Sequence, residues 1–123
     1  MSNTPNFKRG LPLKEFVDKR YADGSIEIPI DDGDNIVVPP QDMWPREAKL
    51  LLEQQTAAVR RRAGVDERPT DEQIVKVIIG DDAFDRFAAA VDDAGGDRDD
   101  AGSFFFRYYY AEVKRQQGLS AGE

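Results

Sequence analysis

The sequence predicts an α+β, mainly α, chain: an N-terminal β-hairpin followed by about four helices in a small single domain. Three observations predict it. Isoleucines alternate in Ser25-Ile26-Glu27-Ile28-Pro29-Ile30 and so share one face of a strand. Apolar residues recur at spacings of three and four through much of the rest of the chain. The length, 123 residues, suits one domain with a real but modest core.

Each element has its own warrant. Residues 1–12 are polar and expected to be flexible, and the domain is expected over 13–117. Leu13, Phe16, Val17 and Tyr21 fall near one face, which allows a short helix before the hairpin. The hairpin is expected over 25–38, with Asp31-Asp32-Gly33-Asp34 as its turn and Asn35 to Val38 as the return strand. Pro29 lacks an N–H, so its strand should be an edge. Pro39-Pro40 ends the hairpin, and Gln41 to Trp44 leads into a helix over about 45–63 with Pro45 at its first position. Ala48, Leu51, Leu52, Gln55 and Val59 trace its inner face, and Gly64 is the expected stop.

Thr70-Asp71-Glu72-Gln73 has the capping-box pattern and opens a helix over 71–79. The β-branched run Val75 to Ile79 leaves a strand open there. After Gly80 a helix is expected over 82–93, with Phe84, Phe87, Ala88 and Val91 on one face and Gly95-Gly96 as the break. The last helix is expected over 103–117, with 118–123 as a flexible tail.

Composition excludes several chemistries. The chain has neither cysteine nor histidine, so disulfides, thiol nucleophiles, Cys/His zinc sites and a Ser–His–Asp triad are out. No run of apolar residues is long enough to span a membrane, and no membrane partner is expected. Met1 to Pro12 has no apolar signal core, so a cytoplasmic protein is expected.

The net charge is −7. Residues 1–65 carry ten acidic and ten basic residues, 66–100 twelve and four, and 101–123 two and three. Acidity therefore belongs to the middle of the chain. No nucleic-acid partner is expected, because phosphates call for a basic face. Arg60-Arg61-Arg62 reads as cations closing a helix. Residues 70–93 allow a helix-turn-helix reading, but its second helix would present Asp82, Asp85, Asp92 and Asp93 to phosphates. Asp31, Asp32 and Asp34, like Asp97, Asp99 and Asp100, lack the spacing of a calcium loop and read as a turn and a solvated loop. No carboxylate pair stands out among so many. No glycine-rich phosphate loop is present, and no metal, cofactor or catalytic residue is expected.

The candidate binding residues are aromatic: Trp44 and the block Phe104, Phe105, Phe106, Tyr108, Tyr109 and Tyr110. Core packing accounts for some of them. On a helix, though, these rings point nearly all around the axis, and one face cannot bury them all. The excess points to a partner surface or to self-association. The residues alone thus describe an acidic, mostly helical, non-catalytic interaction protein.

The order of motifs adds a resemblance. Pro39-Pro40-Gln41-Asp42-Met43-Trp44-Pro45 leads into a helix, and Gly80-Asp81-Asp82-Ala83-Phe84-Asp85-Arg86-Phe87 starts another about 35 residues later. Gly95-Gly96, a last helix and Gly118-Leu119-Ser120-Ala121-Gly122-Glu123 follow. This pattern, over roughly residues 25–123, resembles the tail assembly chaperones of long-tailed actinobacteriophages. In that family a β-rich N-terminal segment precedes helices, and a Leu-Gly-Asp-Glu-x-Tyr/Phe-x-x-Phe/Leu helix start is common. Here Ile79 stands where Leu is usual, and the block 104–110 has no counterpart in the pattern.

The resemblance implies a non-catalytic protein made in the cytoplasm of the infected host and absent from the mature virion. It would coat the tape measure protein, keep its apolar helices in solution, and recruit major tail protein. It also implies a longer frameshifted form of the same chain, with which the Gly122-Glu123 ending is compatible. Two other readings stay open: a head–tail connector or minor tail component, and a small acidic regulator that binds a protein or mimics the charge of DNA.

Overall fold

The computed structural model describes residues 7–30 and 34–121, the side chains at 119–121 excepted. Seven elements follow in order: α1 (Leu13–Gly24), β1 (Ile26–Ile28), β2 (Ile36–Val38), α2 (Arg46–Arg60), α3 (Asp71–Ile79), α4 (Asp81–Asp93) and α5 (Ala101–Ala121). Single 3-10 turns at Gln41–Met43, Val65–Glu67 and Arg98–Asp100 connect some of them. The protein is mainly helical with one two-stranded antiparallel sheet. The hairpin is not the first element, because α1 precedes it and runs three residues past Tyr21 to Gly24.

The alternation of isoleucines sets the hairpin register. Ile26 pairs with Val38, Glu27 with Val37 and Ile28 with Ile36. The four outer members of these pairs are buried and the middle pair is exposed, as a period of two requires. β1 stops at Ile28, so Pro29 stands outside the ladder instead of at its edge. Asp31 to Gly33, the expected turn, lie outside the described residues, as do residues 1–6 of the expected flexible start.

Residues 75–79 are helical, and the capping box explains why. Gln73 N donates to Thr70 Oγ1 at 3.2 Å, and Thr70 N donates to Gln73 Oε1 at 2.8 Å. These bonds satisfy helix-start donors that have no partner within the helix. Ile74, Val75 and Ile78 then fall on the buried side. α3 is the centre of the fold, touching the hairpin, α2, α4 and α5. Phe84, Phe87 and Ala88 of α4 complete one side of the core, Trp44 and Ala48 another. Burying a side chain such as Ile74 contributes about 1.5–3 kcal/mol.

Three boundaries differ from the sequence reading. Pro45 is the residue before α2, not its first residue. α2 ends at Arg60, ahead of Gly64, because Arg62 adopts a left-handed backbone with φ of 57°. α5 starts at Ala101 and continues through Ala121, so 118–121 are helical where a tail was expected. Among the described residues no helix is long and apolar enough to cross a membrane.

Candidate functional site

α5 carries the aromatic block, and its docking divides the block by direction. Gly102 lets the first turn of α5 press against the backbone of Asp71 and Glu72 in α3. This contact points Phe105 and Tyr109, four residues apart, into the core at 0% and 3% exposure. Phe105 meets Phe87 edge-on with ring centroids 5.6 Å apart. Tyr109 meets Trp44 at 5.3 Å.

Trp44 is itself 3% exposed, and its Nε1–H donates to the Pro39 carbonyl at 2.8 Å. The indole thus fills the core while its only polar atom is satisfied. Surface roles for Trp44, Phe105 and Tyr109 are accordingly corrected. They are packing residues: Phe105 and Tyr109 lie on the inward face of α5, and Trp44, just ahead of α2, packs against Tyr109.

The other four rings of the block remain accessible. Phe104 and Phe106 are half-buried, and Tyr108 and Tyr110 are 37% and 45% exposed. Phe106 lies 6.2 Å from Tyr110 in a stacked arrangement and 6.2 Å from Trp44. The Arg107 guanidinium sits 5.9 Å from the Phe104 ring. Burial pushes the phenols of Tyr108, Tyr109 and Tyr110 above the usual tyrosine value, since each would leave a charge in an apolar setting.

Two open cavities flank α5. One, of about 690 Å³, lies between the end of β1, α4 and α5; Ile28, Pro29, Val91, Phe104 and Tyr108 are among its lining residues. Gly96 helps shape it. A β-carbon there would stand 2.7 Å from Val91 Cγ1 and 3.4 Å from the Phe104 ring. Outside this groove, α4 exposes Asp81, Asp82, Asp85, Asp92 and Asp93. α3 and α4 are joined by Gly80 alone, so a helix-turn-helix reading would bring this carboxylate face to phosphates.

The other cavity, of about 860 Å³, lies between the end of α1, the Gln41–Met43 turn and α5, where Tyr109, Tyr110 and Val113 line it. Arg20 spans its rim. Its Nη2 and Nε donate to the two Asp42 carboxylate oxygens at 3.0 and 3.2 Å. That bidentate hydrogen bond holds the Asp42 carboxyl below its usual value and raises the Arg20 guanidinium.

The acidic groups have local structural roles. Asp97 Oδ1 accepts from Asp99 N at 2.9 Å, capping the Arg98–Asp100 turn. Gln55 Nε2 donates to Asp71 Oδ1 and to the Pro69 carbonyl, tying α2 to the start of α3. Among the described residues no group of three or more Asp or Glu could hold a metal ion.

The groove beside α4 went unforeseen in the sequence, although its pieces were visible as Gly95-Gly96 and Val91. The short helix allowed before the hairpin is present as α1, and its apolar face lies outside the core. Comparison with family models, curated proteins and solved structures found no match for the chain.

Proposed function

We propose that the chain is a non-catalytic tail assembly chaperone that binds a phage tape measure protein during tail morphogenesis. One observation carries the reading beyond the resemblance: an open apolar groove of about 690 Å³, edged by Phe104 and Tyr108, beside an exposed row of carboxylates on α4. An amphipathic client helix lays its apolar face into such a groove. The carboxylates give loaded complexes like charge, which keeps them apart. Each contact is weak, and many copies along a long client hold it by avidity. The partners are the tape measure protein, major tail protein and a longer frameshifted form of the chain. The place of action is the host cytoplasm, before the virion is complete.

The test is co-expression with a tape measure protein of a long-tailed actinobacteriophage. The client is expected to pellet when made alone and to stay in the supernatant, bound to the chain, when both are made. A client that pellets equally in both cases overturns the reading. Mass spectrometry of purified virions separates the structural alternatives: a connector or minor tail component is found there, and a chaperone is not.

A further inference from the structure

We infer that the groove between α4 and α5 selects its client helix by charge: the helix bears carboxylates two turns apart along one flank of its apolar stripe, and these face Arg107 and Lys114. The inference rests on the chaperone reading, with this groove as the client's seat, and names the kind of client segment that fits there.

The groove is mostly apolar, with Ile28, Val91 and Phe104 in its lining. Among the described residues that line it, Arg107 carries the only charge. Arg107 is exposed, and its guanidinium stands 5.9 Å from the Phe104 ring. Its neighbours three and four residues away on α5 are Ser103, Phe104, Tyr110 and Ala111, none of them acidic. Among the described residues no carboxylate lies within ion-pair distance of it. Lys114 follows seven residues later, on the same edge of α5 and about 10 Å further along the helix. It too is exposed, with no carboxylate of the described residues at ion-pair distance. Arg115 beside it differs, being paired with Glu112.

The α4 wall has the opposite preference. Asp93 follows Ala90 by three residues and directly precedes Ala94, and both alanines line the groove. Arg86, the cation of α4, is engaged, donating to the Asp34 carbonyl at 2.6 Å. A client carboxylate therefore gains on the α5 side and is repelled on the α4 side. Apolar burial supplies the affinity. The unlike walls decide which flank of the client faces α5, and so the direction in which it lies. Exposed ion pairs are individually weak, so the expected discrimination is about two- to fivefold for each cation.

The probes are synthetic amphipathic helical peptides with one apolar stripe in common. One bears two glutamates seven residues apart on a flank, and another bears glutamines there. Fluorescence anisotropy of the labelled peptides reads binding to the whole chain. The glutamate peptide is expected to bind several-fold more tightly, and high salt to erase the difference. Arg107→Gln with Lys114→Gln is expected to erase it too, leaving affinity for the glutamine peptide unchanged; both side chains are exposed, and circular dichroism checks the fold. Equal binding of the two peptides by the unaltered chain overturns the inference, and that comparison needs no variant. A preference that survives the double substitution, or no binding of either peptide, overturns it as well. A chain that keeps the tape measure protein in the supernatant but does not tell the peptides apart fails only here. A chain that tells them apart while the client still pellets keeps the charge selection and loses the chaperone reading.

Discussion

A methyl group on Gly102 would stand 2.6 Å from the backbone nitrogen of Glu72, so the start of α5 and the start of α3 meet backbone to backbone. The neighbours at this point are main-chain atoms, which cannot swing aside. Gly102→Ala must therefore separate the two helices and unseat Phe105 and Tyr109. The expected cost is about 1–3 kcal/mol, as for other overpacked sites. Gly118 lies on the same helix with nothing within 4 Å of its would-be β-carbon. Gly118→Ala should stabilise instead, by about 0.5–1 kcal/mol. Urea denaturation of both variants checks the pair; equal signs would refute the close-approach argument.

Local signals in the sequence were sufficient where neighbours along the chain decide structure. Alternation put Ile26, Ile28 and Ile30 on one face; Ile26 and Ile28 are buried in β1, and Ile30 is half-buried past its end. The Thr70 and Gln73 side chains form the capping box their spacing predicts. Spacing also placed Phe84, Phe87 and Ala88 inside. It was insufficient where contacts far apart in sequence decide. Val59 fits the inner face of α2 by period yet is exposed, while Ala58 is buried. Which rings of 104–110 turn inward depends on how Gly102 seats α5, and no period within α5 states that. The same holds for α1, whose amphipathic face looks like core yet buries none of its residues.

Arg62 marks a stop that composition disguises. The Ala63 N–H reaches back to the Ala58 carbonyl at 2.9 Å, and the Arg62 N–H to the Val59 carbonyl at 3.0 Å. Glycine commonly occupies such a left-handed position; α4 ends this way with Gly95, at φ of 94°. An arginine there bears the steric cost of its β-carbon. Arg62→Gly should raise stability by about 0.5–1 kcal/mol, read as an increase in the denaturation midpoint. A decrease would mean that the arginine side chain makes a contact that outweighs its backbone strain.

Burial divides the aromatic block into two experiments that a single multiple substitution would confuse. Phe105→Ala empties the centre of the core and should destabilise by about 3–5 kcal/mol. Tyr108→Ser with Tyr110→Ser should keep the helical circular dichroism and lower the melting midpoint far less than Phe105→Ala, since both rings are partly exposed. Tyr108 edges the groove and Tyr110 lines the cavity on the other side of α5; if these exposed rings hold the client, the double variant should still weaken capture of the tape measure protein several-fold. Undiminished capture by a folded double variant would remove these two tyrosines from the interface.

The Arg20–Asp42 pair makes the seating of α1 sensitive to acid. The folded carboxyl is held below its ordinary value by the guanidinium. A depressed carboxyl contributes at full strength above its unfolded value, about 3.9, and the contribution fades as pH falls through the lower folded value. The arginine, raised above an already high value, does not titrate in this range. Amide resonances of 13–24 should therefore shift together on acidification below the ordinary aspartate range. Asp42→Asn should reproduce the shifted positions at neutral pH. Resonances that stay fixed in that variant would show that α1 is seated by something other than this pair.

The alkaline limit should come from the tyrosines of α5. Tyr108, Tyr109 and Tyr110 are each raised by burial, so the folded state favours the neutral phenol. Unfolded tyrosines ionise at about 10. The stabilisation is then complete below that value and is lost as pH rises through the higher folded values. Tyr109 is the most constrained of the three, because its ring is packed against Trp44. Tyrosinate absorbance should consequently rise in two stages, the later one coinciding with loss of helical circular dichroism and of the buried tryptophan's fluorescence. Tyr109→Phe should remove part of the later stage and shift alkaline unfolding to higher pH. A single stage with helicity intact throughout would mean that these phenols ionise without leaving their places in the fold.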